Sequence, residues 1–139
     1  MKRQDKYPET AAFRFYNANP KGRLTCDCTV RAICTAAELP YSTVVMEMAA
    51  MHCETGYDAD SVQLIDRYLK SKGFEKMKQP RKPNNTKYTG YEFCEHIAEK
   101  DERYVANIGG GHIVAIVDGK VHDTWDSTHG CIGNYWVKG

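Results

Sequence analysis

Apolar positions in the first two-thirds of the chain recur at helical spacing, whereas those near the C-terminus alternate. Val30, Ile33, Ala36 and Ala37 share one helical face, which predicts a helix from Cys28 to Leu39 that Pro40 ends. Asp27 stands just before it as a natural N-cap, its carboxylate able to accept the unpaired amide protons of the first turn. A second helix is predicted from Ser42 to about Cys53, with Gly56 just beyond. In the third, Ser61 caps a run holding Val62, Leu64, Ile65, Tyr68 and Leu69, and Gly73 stops it. Thr89 and Glu92 have capping-box spacing and open a fourth helix, with Phe93, Ile97 and Cys94 as its buried face.

After Lys100 the period falls to two. Arg103–Ile108 reads as a strand, followed by the three glycines Gly109–Gly111. His112–Val117 and Lys120–Trp125 are β-rich runs joined by Asp118-Gly119, a strong hairpin signal, and Ile132–Val137 is one more strand. Helices first and an antiparallel sheet last make an α+β arrangement. Two stretches carry neither period. Residues 1–25 are polar and broken by Pro8, Pro20 and Gly22. They are expected to form an ordered arm that lays Phe13, Phe15 and Tyr16 on the body of the domain. A basic loop spans 70–88, and its residues 70–87 hold seven basic side chains, one acidic one and two prolines.

A length of 139 residues predicts a single domain, 1–139. Such a chain buries roughly two-thirds of the surface its unfolded form exposes, and so needs no disulfide or metal staple. Nineteen Lys and Arg against 18 Asp and Glu argue against a general nucleic-acid binder. The apolar runs fall far short of the ~20 residues of a membrane span. The opening MKRQDKYPET lacks the hydrophobic stretch of a secretory signal. The expectation is a soluble, cytoplasmic protein whose six cysteines are reduced. Cys34, Cys53 and Cys94 are expected to be small core residues.

Chemistry concentrates at two points. Cys28, in TCDCTVRAI, starts a helix, where the positive end of the macrodipole and free amide protons favour thiolate over thiol and could hold a developing oxyanion. His112, in GGGHIVAIVDGKVHDTWDS, opens a strand behind three glycines that allow close approach of a substrate backbone. Asp123 and Asp126 follow on the returning strand, and either could orient the imidazole. With a two-residue turn at Asp118-Gly119, His112 lies opposite Trp125 and Asp123 shares its face. A loop one residue longer brings Asp126 opposite instead.

This order of residues resembles the papain-like cysteine peptidase superfamily, and most closely its small bacterial and phage members. Josephin-type deubiquitinases and bacteriocin-processing peptidases are more distant. The matching residues are Asp27-Cys28, His112 to Ile116 and Asp123 to Ser127, in a likeness that runs from about Cys26 to the end. The resemblance implies a papain-like fold and a cysteine hydrolase acting on a peptide, isopeptide or other amide bond. Cys28 is then the nucleophile and His112 the base and later the acid, without a cofactor or metal. The family spacing puts the third member at Asp126 ahead of Asp123. The family's oxyanion-hole Gln is missing between Gln4 and Cys28, so Asn19, or less readily Asn17, is expected to present that amide beside the Cys28 backbone N–H.

Acyl transfer needs the same residues. The missing Gln and the basic loop motivate a second class, an inactive papain-fold module that docks a host or partner protein, with 70–87 meeting an acidic surface. Cys26 is the rival nucleophile but precedes the helix, and His122 and His129 are expected at the surface or behind the site. Zinc is a lesser alternative: Cys26-x-Cys28, His52-Cys53, Cys94-x-His96 and His129-x-Cys131 are Cys/His pairs. Structural sites, however, usually use pairs two to four residues apart in knuckle-like turns, and Cys94-x-His96 falls in a predicted helix where neighbours two apart point to different faces.

Overall fold

The alternating stretches form the middle of the molecule. A computed structural model describing residues 1–139 has the strands β1 (Phe13–Phe15), β2 (Phe74–Met77), β3 (Arg103–Ile108), β4 (His112–Val117), β5 (Lys120–Asp123) and β6 (Ile132–Lys138). They make one six-stranded sheet in the order β1-β5-β4-β3-β6-β2. The helices are α1 (Arg3–Lys6), α2 (Cys28–Ala37), α3 (Tyr41–Thr55), α4 (Val62–Ser71) and α5 (Gly90–His96). The architecture is mixed α+β, and no helix is long and apolar enough to cross a membrane.

Successive residues of the central strands point to opposite faces, and each face has its own core. Val105 and Ala115 meet Ile33, Val44, Met48, Leu64 and Leu69 from α2, α3 and α4, with Trp136 at the centre. Ala106, Val114 and Ile116 meet Phe93 of α5 and Phe13 of β1 on the reverse face. Burial on both faces is why β4 reads HIVAIV, with five consecutive apolar residues, rather than alternating strictly. The N-terminal helices therefore cover only one side of the sheet, and α5 covers the other.

The predicted caps form where local chemistry alone decides them. Ser61 Oγ accepts the Leu64 N–H at 3.2 Å, and Gly56 ends α3 in the left-handed conformation. Thr89 Oγ1 accepts the Glu92 N–H at 3.1 Å while the Glu92 carboxylate accepts the Thr89 N–H at 3.0 Å, closing the capping box. Gly90, the next residue, lies where α5 touches the sheet. A Cβ there would stand 2.7 Å from Ile108 Cδ1 and 3.1 Å from the Thr128 Cα. Gly90→Ala should destabilise the protein by about 1–3 kcal/mol through this overpacking, outweighing the ~0.5–1 kcal/mol helix-propensity gain of alanine. Urea unfolding measures the sign; a stabilised variant would show that α5 can shift away.

Three expectations need correction. The sheet is not wholly antiparallel, because β1 pairs parallel with β5, Phe13 opposite Val121. The arm is thus a structural edge strand, with Phe13 fully buried. The basic loop contains β2, antiparallel to β6 with Phe74 opposite Lys138; only Phe74 of its four residues is buried, so the strand has no legible period. The strand after the hairpin turn stops at Asp123, whose carboxylate accepts the Thr124 N–H at 2.7 Å and turns the chain out of the ladder.

Candidate functional site

α2 packs on the sheet through Ile33 and Ala36, and this contact brings its first residue, Cys28, to the end of β4 where His112 begins. The Asp118-Gly119 turn has two residues, both left-handed (φ 56° and 68°), and pairs Val117 with Lys120. That is the shorter of the two registers. It sets the Trp125 ring against the His112 imidazole, with centroids 5.1 Å apart, and places Asp123 within reach of the same ring. His112 Nε2 donates to Asp123 Oδ2 at 2.6 Å. Asp126, favoured by family spacing, is displaced from the site. Its carboxylate accepts the Thr128 N–H at 3.0 Å and the Thr128 hydroxyl, so it shapes the loop after β5.

Asp123 is a buried carboxylate with several partners. Besides His112 it accepts Arg31 Nη1 at 3.1 Å, and its side chain is only 2% exposed. Arg31 Nε reaches the other way to Asp27 Oδ1 at 2.8 Å. Asp27 also accepts the Tyr41 hydroxyl at 2.7 Å and Asn19 Nδ2 at 3.0 Å. The expected N-cap role of Asp27 is therefore not filled: its carboxylate faces Arg31 and Tyr41, and the first-turn amides of α2 keep no side-chain partner. Asn19 is likewise committed. Its Nδ2 holds Asp27 and its Oδ1 accepts the Lys21 N–H, and it does not line the cleft beside Cys28. Asn17 donates to the Arg23 carbonyl. Neither asparagine is positioned as an oxyanion donor, because the arm uses both to fold on itself and on Asp27.

These contacts set the ionisation of the site. Burial penalises the Asp123 carboxylate, but the His112 hydrogen bond and charge and the Arg31 guanidinium outweigh it, holding its pKa below the usual value. Burial also opposes the charged imidazole, yet Asp123 and Cys28 together raise His112 from 6.5 to about 9. For Cys28, burial pushes the thiol up; the hydrogen bonds of His112 and the Ile113 N–H and the His112 charge overcome it, so the pKa is lowered. By contrast, burial raises Cys34, and takes Cys94 to about 12. Cys53 is exposed on α3 rather than in the core as expected, because that face of the helix has no covering element.

A stability prediction follows from His112. A folded pKa above the unfolded 6.5 means that its stabilising contribution is complete below pH 6.5 and is lost as pH rises through about 9. Thermal unfolding across that window should show declining stability, and His112→Gln should flatten the decline. An equal slope in both proteins would assign it to another group.

The cleft in front of Cys28 is open and encloses about 540 Å³, a size that accepts a short stretch of peptide. Leu24, Cys26, Gly111, Thr124 and Trp125 line it. Arg3 also lines it, its Nε donating to the Thr124 carbonyl at 2.7 Å. Arg31, Arg3 and Trp125 join the site without any motif that assigns them to it. Arg31 carried a signal: it interrupts the buried face between Val30 and Ile33 and lies one helical turn after Asp27. Arg3 carried none.

No group of three or more His, Cys, Asp or Glu side chains is arranged to hold a metal ion; Cys94 is buried in one core while His96 is exposed. Charges of the basic stretch are partly answered locally: Lys70 pairs with Asp66, Lys72 with Glu47 and Lys82 with Glu92.

Comparison with protein-family models, curated proteins and solved structures gives no match. The chemistry of the cleft is therefore what speaks to function.

Proposed function

We propose that the protein is a papain-like cysteine hydrolase that cleaves a peptide, isopeptide or related amide bond through a thioester on Cys28. The observation that carries this reading is His112 bonded to the buried Asp123 carboxylate in the same cleft that Cys28 lines, where its charge lowers the thiol pKa. Burial of Asp123 fixes the ring, and Arg31 keeps Asp123 ionised and turned toward it. A helix carrying the cysteine against a strand carrying the histidine, with the carboxylate on the neighbouring strand, also agrees with the papain-like order of elements.

In this mechanism the Cys28 thiolate attacks the carbonyl carbon while His112 is imidazolium. The oxyanion forms beside the uncapped first turn of α2, where the Cys28 N–H can donate. His112 then gives its proton to the leaving nitrogen as the C–N bond breaks, leaving a thioester. Water adds next: His112 takes its proton, the C–S bond breaks, and Cys28 returns as thiolate. Trp125 and Leu24, both exposed and both lining the cleft, offer the substrate an apolar grip.

The test uses an activated ester, p-nitrophenyl acetate, because the natural acyl group is unknown. A burst of nitrophenol with one acetyl group on Cys28, abolished in Cys28→Ala, is the expected result. Acetylation spread over the exposed Cys26, Cys53 and Cys131, or none at all, would overturn the reading. A binding module on the same scaffold is the second reading, favoured by one observation: Asn19 points at Asp27 and leaves the oxyanion without a side-chain donor. It is the conclusion if Cys28 alkylates readily but never acylates.

A further inference from the structure

The cleft contains a second thiol. Cys26 is exposed and lines the same cleft as Cys28, the two residues flanking Asp27. Asp27 has φ −115° and ψ 25°, a bent conformation that draws its neighbours together. An extended residue there would hold the flanking Cα atoms at or beyond the ~6.8 Å limit for a disulfide; a bent one brings them inside it. No other cysteine lines this cleft. Cys34 and Cys94 lie in the two cores, Cys53 is on α3, and Cys131 pairs across an isolated bridge with Thr89.

We propose that Cys28 is a site of reversible oxidation by hydrogen peroxide, with Cys26 as the resolving thiol that closes a Cys26–Cys28 disulfide and switches the cleft off. This rests on the reading of Cys28 as a stabilised thiolate. In the first step the Cys28 sulfur attacks one peroxide oxygen, the O–O bond breaks, and the departing hydroxide takes the His112 proton and leaves as water. Sulfur is oxidised to the sulfenic acid and peroxide is reduced. In the second, the Cys26 thiolate attacks the Cys28 sulfur, the S–O bond breaks, the hydroxide leaves as water on gaining a proton, and the S–S bond forms. The sum is two thiols and one peroxide giving a disulfide and two waters.

The surroundings suit each step. His112 stands beside the sulfur, where it both favours the thiolate and can protonate the leaving oxygen. The open cleft admits a small peroxide, and the exposed Cys26 opens on the same cleft as its partner. A disulfide between residues two apart closes a small ring, and strained, accessible disulfides of this kind are readily reopened by thiols. While it is closed, the nucleophile is absent and also protected from irreversible over-oxidation.

The tryptic peptide Leu24–Arg31 contains both cysteines and no others, so the test is direct. The whole protein is treated with an equimolar amount of hydrogen peroxide, alkylated after denaturation, and digested. The expected product is this peptide lighter by two hydrogens and free of alkyl groups, restored fully by dithiothreitol. In Cys26→Ser, given a second equivalent of hydrogen peroxide, Cys28 should instead advance to sulfinic acid that dithiothreitol does not restore. A parallel arm measures iodoacetamide labelling of untreated Cys28. Fast labelling with sulfinic acid or an intermolecular disulfide as the wild-type peroxide product overturns the switch and leaves the hydrolase reading standing. Labelling of Cys28 no faster than that of Cys53 and Cys131 overturns both.

Discussion

Replacing His112 with alanine should slow iodoacetamide labelling of Cys28 at pH 6.5 by about fivefold. A thiol with an ordinary pKa of ~8.5 is only ~1% thiolate at that pH, whereas a fully formed thiolate–imidazolium pair is nearly all thiolate. The gain is therefore bounded at ~100-fold. Part of it is offset because a stabilised thiolate is intrinsically less nucleophilic, with a Brønsted slope of about 0.4–0.5. The wild-type rate should form a plateau from the lowered Cys28 value upward through about pH 9, where His112 loses its proton. In His112→Ala the profile should become a single rise near the ordinary thiol pKa. Hydrolytic turnover should fall further than labelling, because the variant also lacks the proton donor for the leaving group. Identical profiles in the two proteins would mean that the helix start alone governs Cys28, and the acid–base role of His112 would be lost.

The second large effect concerns which aspartate serves the histidine. Asp123→Asn should reduce turnover by two or more orders of magnitude, on the scale seen when a triad carboxylate is removed. The neutral amide cannot stabilise the imidazolium, so the His112 pKa should fall well below about 9. It also removes one of the two carboxylates holding buried Arg31. Loss of a buried partner costs about 3–5 kcal/mol when the remaining charge is stranded; here Arg31 keeps Asp27, so the loss should be smaller. Asp126→Asn is the control. Its carboxylate serves only Thr128, so labelling and turnover should stay within about twofold and stability within ~1 kcal/mol. NMR titration of the His112 ring separates the two cases. An unshifted His112 in Asp123→Asn, or a large shift in Asp126→Asn, would reverse the assignment.

Much of the local structure was legible in the chain because it is decided by neighbours in sequence. Ser61, Thr89 with Glu92, and Gly56 act within one helical turn, and each forms the cap that its spacing predicts. Asp118-Gly119 specifies its turn through backbone conformation, since both residues must be left-handed. The change from helical to alternating period likewise marked where the sheet strands begin. Cys28 at a helix start and His112 at a strand start were visible for the same reason.

What only the tertiary structure decided depends on partners far away in the chain. Asp123 and Asp126 differ by a register that a single extra turn residue would reverse, and only the two-residue turn settles that Asp123 meets His112. Asp27 and Asn19 looked like a cap and an oxyanion donor because sequence sees only the near end of each side chain. Arg31, one turn on and anchored to distant Asp123, and Tyr41, brought in by the packing of α3, take the Asp27 carboxylate, and Asn19 follows it. The parallel pairing of β1 with β5 and the strand within the basic stretch join segments too short to carry a period, so the sheet edge alone selects them. Local hydrogen-bonding chemistry thus determined the elements and the two reactive residues; long-range packing decided which charges meet them.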